Sequence, residues 1–261
     1  MHLSLPDHPS ALRENDLSLL ALKNITFAFQ DGKNILDGLN LDISCPDRLG
    51  IIGSNGSGKT TLLSVIMGLE QAQSGQILFN GEKVDTREDW GGFRKKVGFV
   101  FQNSDDQLFM PTVLEDVTFG PLNMGLSADQ ARQKAIRTLT DLGLHGFEHR
   151  ITHKLSGGEK RLVALATVLA MDPKIIMLDE PTNDLDPATR LRLIEILHDL
   201  PQTLVLVSHD WDFLHNTTNC LYLLEKGTLV PQNSDILHTH VHSHPAGQTE
   251  HAHNRNGASL S

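Results

Sequence analysis

A glycine-rich stretch that ends in lysine and threonine constrains the fold of this chain more than any other sequence feature. It fits the pattern G-x-x-x-x-G-K-[ST], and it consists of Gly53, Ser54, Asn55, Gly56, Ser57, Gly58, Lys59, Thr60 and Thr61. Glycines let the backbone turn tightly, so that its N–H groups point inward at phosphate oxygens. An apolar run at residues 49–52 precedes the stretch, and an apolar helical pattern at residues 62–69 follows it. The sequence therefore predicts a strand, a phosphate-binding loop and a helix whose positive end faces the same anion.

Two side chains of this loop have predicted tasks at a bound nucleotide. Lys59 brings a positive charge toward the outer phosphates. The Thr60 hydroxyl is placed to bind Mg²⁺, an ion that prefers oxygen ligands. A nucleoside triphosphate with Mg²⁺ is therefore the expected ligand of the loop.

Two acidic residues follow another apolar strand. Residues 175–178 are apolar, and Asp179 and Glu180 come directly after them. A buried strand that presents one carboxylate at its tip can hold the Mg²⁺ of a nucleotide, so we expect Asp179 to bind the ion directly or through water. Glu180 is then placed to polarise the attacking water. The alternative is a solvated acidic strand end, and the phosphate-binding loop favours the metal site.

A second anion site is predicted where Ser156, Gly157 and Gly158 open an apolar helix. The two glycines allow close approach of the backbone, and the helix dipole favours negative charge at this end. One chain rarely needs two separate sites for the phosphates of one nucleotide. We therefore expect this helix start to face the phosphates that another subunit holds.

Composition and charge limit the possible classes of protein. The 261 residues carry a formal net charge of −10, and the residues after Pro231 contribute only Asp235, Glu250 and Arg255. The folded body is therefore acidic, which disfavours a nucleic-acid partner because such a protein needs a basic stripe. Cys45 and Cys220 lack metal or redox spacing, so we expect small apolar fillers in a reducing compartment. No secretory signal and no membrane-spanning stretch is evident in the sequence.

Strands alternate with helices along most of the chain, and the predicted phosphate-facing loops join their ends. This order predicts an α/β fold with a parallel-core sheet. Alternating patterns at residues 19–29 and 39–43 predict an additional N-terminal antiparallel β layer. Residues 105–153 are predicted to be a helical insert, in which one helix begins at a serine cap, Ser127, and runs to Leu142. We expect a leader at residues 1–17, one domain at 18–231 and a disordered tail at 232–261.

With these motifs in this order, the chain resembles the nucleotide-binding subunits of ABC (ATP-binding cassette) ATPases over about residues 19–230. Residues 155–159 look like the signature motif of that family, with Glu159 at the position where glutamine is most common. The resemblance implies a P-loop NTPase fold with a helical subdomain. It also implies ATP as the nucleotide and a second ABC ATPase subunit, identical or paralogous, as a partner.

The same resemblance implies roles for further residues. Gln102 would reach the metal ion and the lytic water, and His209 would contact the γ-phosphate and order the site. Phe29 would stack on adenine, at a position where the family more often has tyrosine. The loop of residues 183–186, which ends at Asp186, would cross the interface between the two subunits.

A finer resemblance rests on residues 100–109 and 112–121, which are similar to the ATPases of energy-coupling-factor importers, including those for cobalt and nickel. Such importers combine two ATPase subunits with a transmembrane coupling protein and a substrate-binding membrane subunit. In them, this region adjoins the groove that receives the coupling helices. The resemblance implies an ATPase that lies peripherally at the cytoplasmic face of the cell membrane.

The C-terminal tail is rich in histidine, which suits Ni²⁺, Co²⁺, Cu²⁺ or Zn²⁺ better than Mg²⁺ or Ca²⁺. The candidate ligands are His238, His240, His242, His244, His251 and His253. We expect the tail to bind metal, which favours nickel or cobalt as the cargo; an incidental polar tail is the alternative.

Three other functions stay open at the level of the sequence. The same import machinery can carry a vitamin, a choice that depends largely on membrane proteins. A soluble ABC ATPase that acts on DNA or ribosomes is a second possibility, although such proteins tend to have coiled-coil inserts or two cassettes. A metal-buffering protein with a secondary ATPase body is the third.

Overall fold

The structure is a computed structural model that describes residues 18–30 and 32–232. The predicted leader and the predicted tail beyond Gln232, including its six candidate histidine ligands, lie outside the described residues. The described strands are β1 (Leu20–Ala28), β2 (Asn34–Ile43), β3 (Arg48–Ile52), β4 (Ser74–Phe79), β5 (Glu82–Lys83), β6 (Val97–Val100), β7 (Ile175–Asp179), β8 (Thr203–Val207), β9 (Cys220–Glu225) and β10 (Thr228–Gln232). The described α-helices are α1 (Lys59–Ile66), α2 (Arg87–Arg94), α3 (Val113–Asn123), α4 (Ala128–Asp141), α5 (Gly157–Leu169), α6 (Pro187–Asp199) and α7 (Trp211–Thr217).

The larger sheet has the strand order β10-β9-β3-β8-β7-β6. Strands β9, β3, β8, β7 and β6 pair in parallel, and β10 pairs with β9 in an antiparallel hairpin. Because the carboxyl ends of parallel strands meet at one edge, this sheet gathers the loops that follow β3, β6, β7 and β8. The predicted parallel-core α/β fold is confirmed.

Two hydrophobic cores lie on opposite faces of the parallel strands. Along β7, Ile176 and Leu178 belong to one core, and Ile175 and Met177 belong to the other. Both faces are covered, which explains why these strands are continuous apolar runs in the sequence. The first core contains side chains of α3 to α7, and the second contains those of α1 and of the antiparallel layer.

The antiparallel layer has the strand order β2-β1-β4-β5. Its second strand is longer than predicted: the sequence pattern indicated residues 39–43, whereas β2 begins at Asn34. The start of the strand is not evident in the sequence because Asn34, Asp37 and Gly38 interrupt the apolar alternation. The register between β1 and β2 also shifts at several points, which obscures a period of two residues.

The predicted serine cap of α4 is present at Ser127, where it forms a capping box. Capping boxes that were not predicted begin α3 at Thr112 and α5 at Ser156. In each box a hydroxyl accepts from the backbone N–H three residues on, and that residue's side chain accepts from the cap's own N–H. Asp186 caps α6, with Pro187 in its first turn. Both α3 and α4 lie within the predicted helical insert.

Candidate nucleotide-binding site

A cleft at the carboxyl edge of the parallel strands brings most predicted site residues together. Its volume is about 470 Å³. The residues that line it are Phe29, Ile35, Asn55, Gly56, Gly58, Lys59, Thr60, Thr61, Gln102, Glu180, Asn183 and His209. The cleft therefore joins the glycine-rich loop, an exposed aromatic ring and the predicted catalytic side chains.

The glycine-rich loop lies between β3 and α1, as predicted. Gly56 and Gly58 have φ angles of 77° and 102°, a region that strongly favours glycine. Gly53 is required for a different reason: a Cβ there would lie 2.6 Å from Ser57 Oγ and 2.8 Å from the Leu224 carbonyl oxygen. Close packing against β9 thus fixes the start of the loop.

Lys59 is buried at the first position of α1. Its ammonium group donates to the carbonyl oxygens of Gly53 at 2.9 Å and Ser54 at 3.2 Å. An ammonium group has three N–H donors, so one remains for an anion in the cleft. The lysine therefore both braces the loop and keeps a charge for a phosphate group.

Asp179 ends β7 and is only 1% exposed. Its carboxylate accepts a hydrogen bond from the Thr60 side chain, whereas its Oδ1 atom has no hydrogen-bond partner. Burial raises the pKa of Asp179, and the Glu180 charge raises it further, while Thr60, Lys59 and Arg161 oppose the shift. A buried carboxylate oxygen without a partner, beside a threonine hydroxyl, fits a hard cation such as Mg²⁺.

Glu180 and His209 form a close pair above the sheet. Glu180 has a φ of 44°, and its N–H donates to the Val207 carbonyl oxygen at 2.8 Å, which ties it to β8. Its Oε2 atom accepts from the His209 backbone N–H at 3.2 Å and lies 2.8 Å from His209 Nδ1. Glu180 is buried while the His209 side chain is 63% exposed, so the imidazole covers the carboxylate on the solvent side.

Gln102 follows β6 and lines the cleft. Its backbone is held by Arg161 of α5, which donates to the carbonyl oxygens of Phe101 at 2.7 Å and Gln102 at 2.6 Å. Burial lowers the pKa of Arg161, and the charges of Asp184 and Asp179 oppose this shift. Sequence analysis did not single out Arg161, because it directly follows two other charged residues of α5, Glu159 and Lys160.

Phe29 follows β1, and its ring is 48% exposed at the cleft. Phe27 supports it in an edge-to-face contact with ring centroids 5.0 Å apart. An exposed aromatic face beside a phosphate-binding loop can stack on a nucleobase.

The structure does not bring the second predicted anion site into this cleft. Neither Ser156, Gly157 and Gly158 nor Asp186 is among the lining residues. The two helix starts instead pack against each other, because a Cβ on Gly158 would lie 2.9 Å from Thr189 Cγ2. Asp186 accepts from the N–H groups of Ala188 and Thr189 at 3.0 and 3.1 Å. Ser156, Gly157 and Asp186 are exposed.

Glu159, the departure from the commonest signature sequence, has a structural partner. Its carboxylate accepts from Arg150 at 2.7 and 3.2 Å and from the Ser156 N–H at 2.8 Å. The bond from Arg150, followed by that from the Ser156 backbone, lowers the pKa of Glu159. The glutamate therefore completes the capping box of α5 and links it to the preceding loop.

A second concave surface, which we name the apolar groove, lies beside the segment that follows Gln102. Its volume is about 310 Å³. Its apolar side chains include Met67, Leu69, Phe99, Phe101, Phe109, Phe119, Val168 and Met171. Phe109 and Phe119 are 63% and 42% exposed and touch edge to face, with centroids 4.9 Å apart. Within residues 18–30 and 32–232, no helix is long and apolar enough to span a membrane.

Comparison with known proteins shows which family the chain belongs to. The family model described as ABC transporter matches residues 36–183, more than half of the chain. A putative ABC transporter ATP-binding protein of Nitratidesulfovibrio vulgaris is 49% identical over 240 residues, which cover 92% of this chain and 88% of that protein. The energy-coupling factor transporter ATP-binding protein EcfA of Methanothermobacter thermautotrophicus is 39% identical over 222 residues, with coverage of 84% and 71%.

Solved structures show the same fold. The cbiO1 protein of Clostridium perfringens, described as part of the ABC transporter complex cbiONQ, matches with a TM-score of 0.74 and 34% identity over 83% of this chain and 88% of its own. The dimeric ATP-binding cassette MJ0796, in a post-hydrolysis state with ADP and Pi, matches with a TM-score of 0.73 and 28% identity over 80% and 96%. The chain therefore belongs to the ABC transporter family, as one of its ATP-hydrolysing subunits.

Proposed function

We propose that this chain powers an importer of the energy-coupling-factor type whose cargo is nickel or cobalt ions. The observation that carries the catalytic part is the single cleft that contains Lys59, Glu180 and His209 together. The importer part is supported by the apolar groove and by the similarity to two proteins, EcfA and a member of the cbiONQ complex.

In the proposed mechanism, the N–H groups of the glycine-rich loop and the Lys59 ammonium group hold the phosphates of ATP. Asp179 and Thr60, with Gln102 nearby, would hold Mg²⁺, which supplies charge stabilisation to the transferred phosphoryl group. Glu180 takes a proton from the attacking water, and His209 orients Glu180 and contacts the outermost phosphate. Phe29 stacks on the adenine ring.

A second ABC ATPase subunit completes each site. Ser156, Gly157 and Gly158 lie outside the cleft and are oriented by a helix start, so they serve a nucleotide held by the neighbouring subunit. The exposed Asp186 and the rest of residues 183–186 contact the neighbour beside them. Closure of two subunits over two ATP molecules brings these groups to the phosphates, and hydrolysis releases them.

The apolar groove is the docking surface for the transmembrane coupling protein. Its two exposed phenylalanines form one apolar patch next to the segment that carries Gln102. An exposed patch of this kind on a globular protein marks an interaction site. Docking there would hold the chain peripherally at the cytoplasmic face of the membrane, together with a substrate-binding membrane subunit.

A membrane-association experiment tests this docking. Phe119→Asp should release the chain from the membrane fraction of its native cells, because a charge would enter an apolar contact. Val230→Asp on β10 is the matched control, since Val230 is 45% exposed and lies outside the groove. Equal membrane association of the two variants would contradict the docking proposal.

Nickel or cobalt as cargo is supported by the histidine-rich tail, and vitamin import is the competing possibility. The chain without residues 236–261 should keep its ATP hydrolysis rate and lose Ni²⁺ binding in equilibrium dialysis. Unchanged Ni²⁺ binding by the shortened chain would remove the argument for a metal cargo. Loss of ATP hydrolysis together with the tail would instead show that the tail belongs to the catalytic body.

A further inference from the structure

One carboxylate, that of Asp210, holds together three segments around the Glu180–His209 pair. Arg190 of α6 grips it with two hydrogen bonds, from Nε to Oδ2 at 2.7 Å and from Nη2 to Oδ1 at 2.9 Å. Asp210 also accepts from the Thr182 side chain and from the backbone N–H of Phe213 at 2.9 Å, which caps α7. Asp210 is therefore bonded on three sides.

The two segments that carry the pair are both joined to this carboxylate. Thr182 lies two residues after Glu180, and Asp210 directly follows His209. Neither Glu180 nor His209 lies inside a helix or strand, so both depend on loop contacts for their position. Asp210 supplies a shared contact for these two loops, and Arg190 fixes Asp210 to a helix.

The ion pair between Arg190 and Asp210 is stronger than an ordinary surface ion pair. A solvent-exposed pair with one hydrogen bond adds little to stability. Arg190 instead makes a bidentate contact, and a further bond from Nη2 to Asp212 Oδ2 at 2.7 Å fixes the same guanidinium. The Arg190 and Asp210 side chains are only 22% and 24% exposed. A lysine could not reproduce this planar arrangement of donors.

Arg190 also connects the pair to the loop that we expect to touch a second subunit. Its backbone N–H donates to the carbonyl oxygen of Asp186 at 2.9 Å, in the first turn of α6. A chain of hydrogen bonds therefore runs from Asp186 through Arg190 to Asp210, the residue after His209.

We propose that Arg190 is a positioning residue for ATP hydrolysis, which sets the distance between Glu180 and His209 by holding Asp210. The inference rests on the proposed roles of Glu180 and His209. It assigns no contact between Arg190 and the nucleotide, and Arg190 does not line the cleft. Removal of the Arg190 side chain should therefore lower the rate at which bound ATP is hydrolysed, while the affinity for the nucleotide stays the same.

The test compares variants of the full chain in steady-state ATP hydrolysis and in binding of a fluorescent ATP analogue. Arg190→Ala should lower kcat between about 10-fold and 100-fold, because small displacements of catalytic groups have effects of this size. KM and the Kd of the analogue should stay within about 2-fold. Arg190→Lys should restore part of the rate, since one charged bond can re-form.

Arg192→Ala is the matched control on the same helix. The Arg192 side chain donates to the backbone carbonyl of Leu142, next to α4, and has no bond to Asp210. A kcat for Arg190→Ala that equals that of Arg192→Ala overturns the proposal.

A double variant separates positioning from loss of stability. Arg190→Ala leaves the partly buried Asp210 carboxylate without its cation, and Asp210→Asn removes that charge while keeping a good helix cap. The pair of changes should recover thermal stability relative to Arg190→Ala but should not recover kcat. Recovery of both overturns the proposal.

Glu180→Gln distinguishes this inference from the mechanism on which it rests. If Glu180→Gln hydrolyses ATP slowly while Arg190→Ala hydrolyses it at the unmodified rate, only the role of Arg190 is overturned. If Glu180→Gln hydrolyses ATP at the unmodified rate, both the catalytic role of Glu180 and the positioning role of Arg190 are overturned.

Discussion

His209 Nδ1 lies 2.8 Å from Glu180 Oε2, and the His209 backbone N–H donates to the same oxygen at 3.2 Å. The two bonds aim one carboxylate oxygen at the histidine and leave the other oxygen of Glu180 for the cleft. A carboxylate that is fixed on one side and open on the other suits a general base.

Glu180→Gln should bind ATP normally and hydrolyse it at least about 10²-fold more slowly, because the amide cannot take a proton. The amide oxygen can still accept from His209, so the fold and the pair should persist. Phosphate release and nucleotide binding measure the two effects separately. Glu195→Gln, which removes an exposed charge from α6, is the control. Phosphate release by Glu180→Gln near the unmodified rate would remove Glu180 from its proposed role.

The contact between Gly158 and Thr189 predicts a steric effect without backbone strain. Gly158→Ala places a Cβ 2.9 Å from Thr189 Cγ2 and 3.0 Å from Thr189 Oγ1. Alanine is otherwise favourable in a helix, so the expected loss of about 1–3 kcal/mol in unfolding free energy comes from overpacking. Urea unfolding measures it.

Thr189→Ala in the Gly158→Ala background should return most of this loss, since it removes both of the closest atoms. Thr189→Ala alone is the reference, because it also loses the 2.6 Å bond from Thr189 Oγ1 to Asp186. If the losses in unfolding free energy of the two single variants simply add in the double variant, α5 and α6 do not meet at this contact.

Many features of the fold could be predicted because their signals are local. The phosphate-binding loop, the capping box of α4 and the apolar runs of β7 and β8 depend on residues close together in sequence. Helix α2 escaped prediction because Gly91 and Gly92 lie inside it, and only Phe93 in its span is buried. The sequence analysis also missed α7, which has only 7 residues.

The candidate catalytic residues could be identified one by one from the sequence, but the side chains that hold them in place could not. Asp179 and Glu180 end an apolar strand, which is a visible pattern, and His209 was identified from the family resemblance. Arg190 and Asp210 are 20 positions apart, and no local pattern pairs them. Gln107 is a similar case, because its side chain accepts from the Phe101 N–H and donates to the Ala164 carbonyl in α5. Such bonds depend on the way helices meet the sheet.

Asp116 predicts a large effect on stability far from the cleft. This buried residue accepts from the N–H groups of Phe109 at 3.1 Å and Met110 at 3.0 Å, and from the Thr152 hydroxyl at 3.0 Å. Asp116→Ala leaves all three donors without this acceptor. Only the Thr152 bond is fully buried, so we expect a loss of about 1–3 kcal/mol in unfolding free energy from this hydroxyl, and a smaller addition from the two partly buried N–H groups. A loss below 1 kcal/mol would contradict this account.

The pH dependence of the same site has a defined sign. Burial raises the pKa of Asp116, although bonds from Met110, Phe109 and Thr152 oppose the shift. The folded chain therefore takes up this proton at higher pH than the unfolded chain does. Its contribution to stability is present below the unfolded pKa and is lost as pH rises through the folded pKa. Asp116→Asn should consequently approach the stability of the unmodified chain as pH rises through that interval.

Thiol reactivity tests the predicted role of the two cysteines. Cys45 is exposed, so the predicted filler role is wrong for this residue. Burial, with the Asp47 charge, raises the pKa of Cys220 to about 12. Since the thiolate is the reactive form, an aromatic disulfide reagent at pH 8 should modify one thiol per native chain and two per unfolded chain. In the Cys45→Ser variant, no thiol should react rapidly in the native chain, and one thiol should react after denaturation. Rapid modification of Cys220 in native Cys45→Ser would mean that the sulfur between β3 and β9 is open to solvent and is not the apolar filler that the sequence predicts.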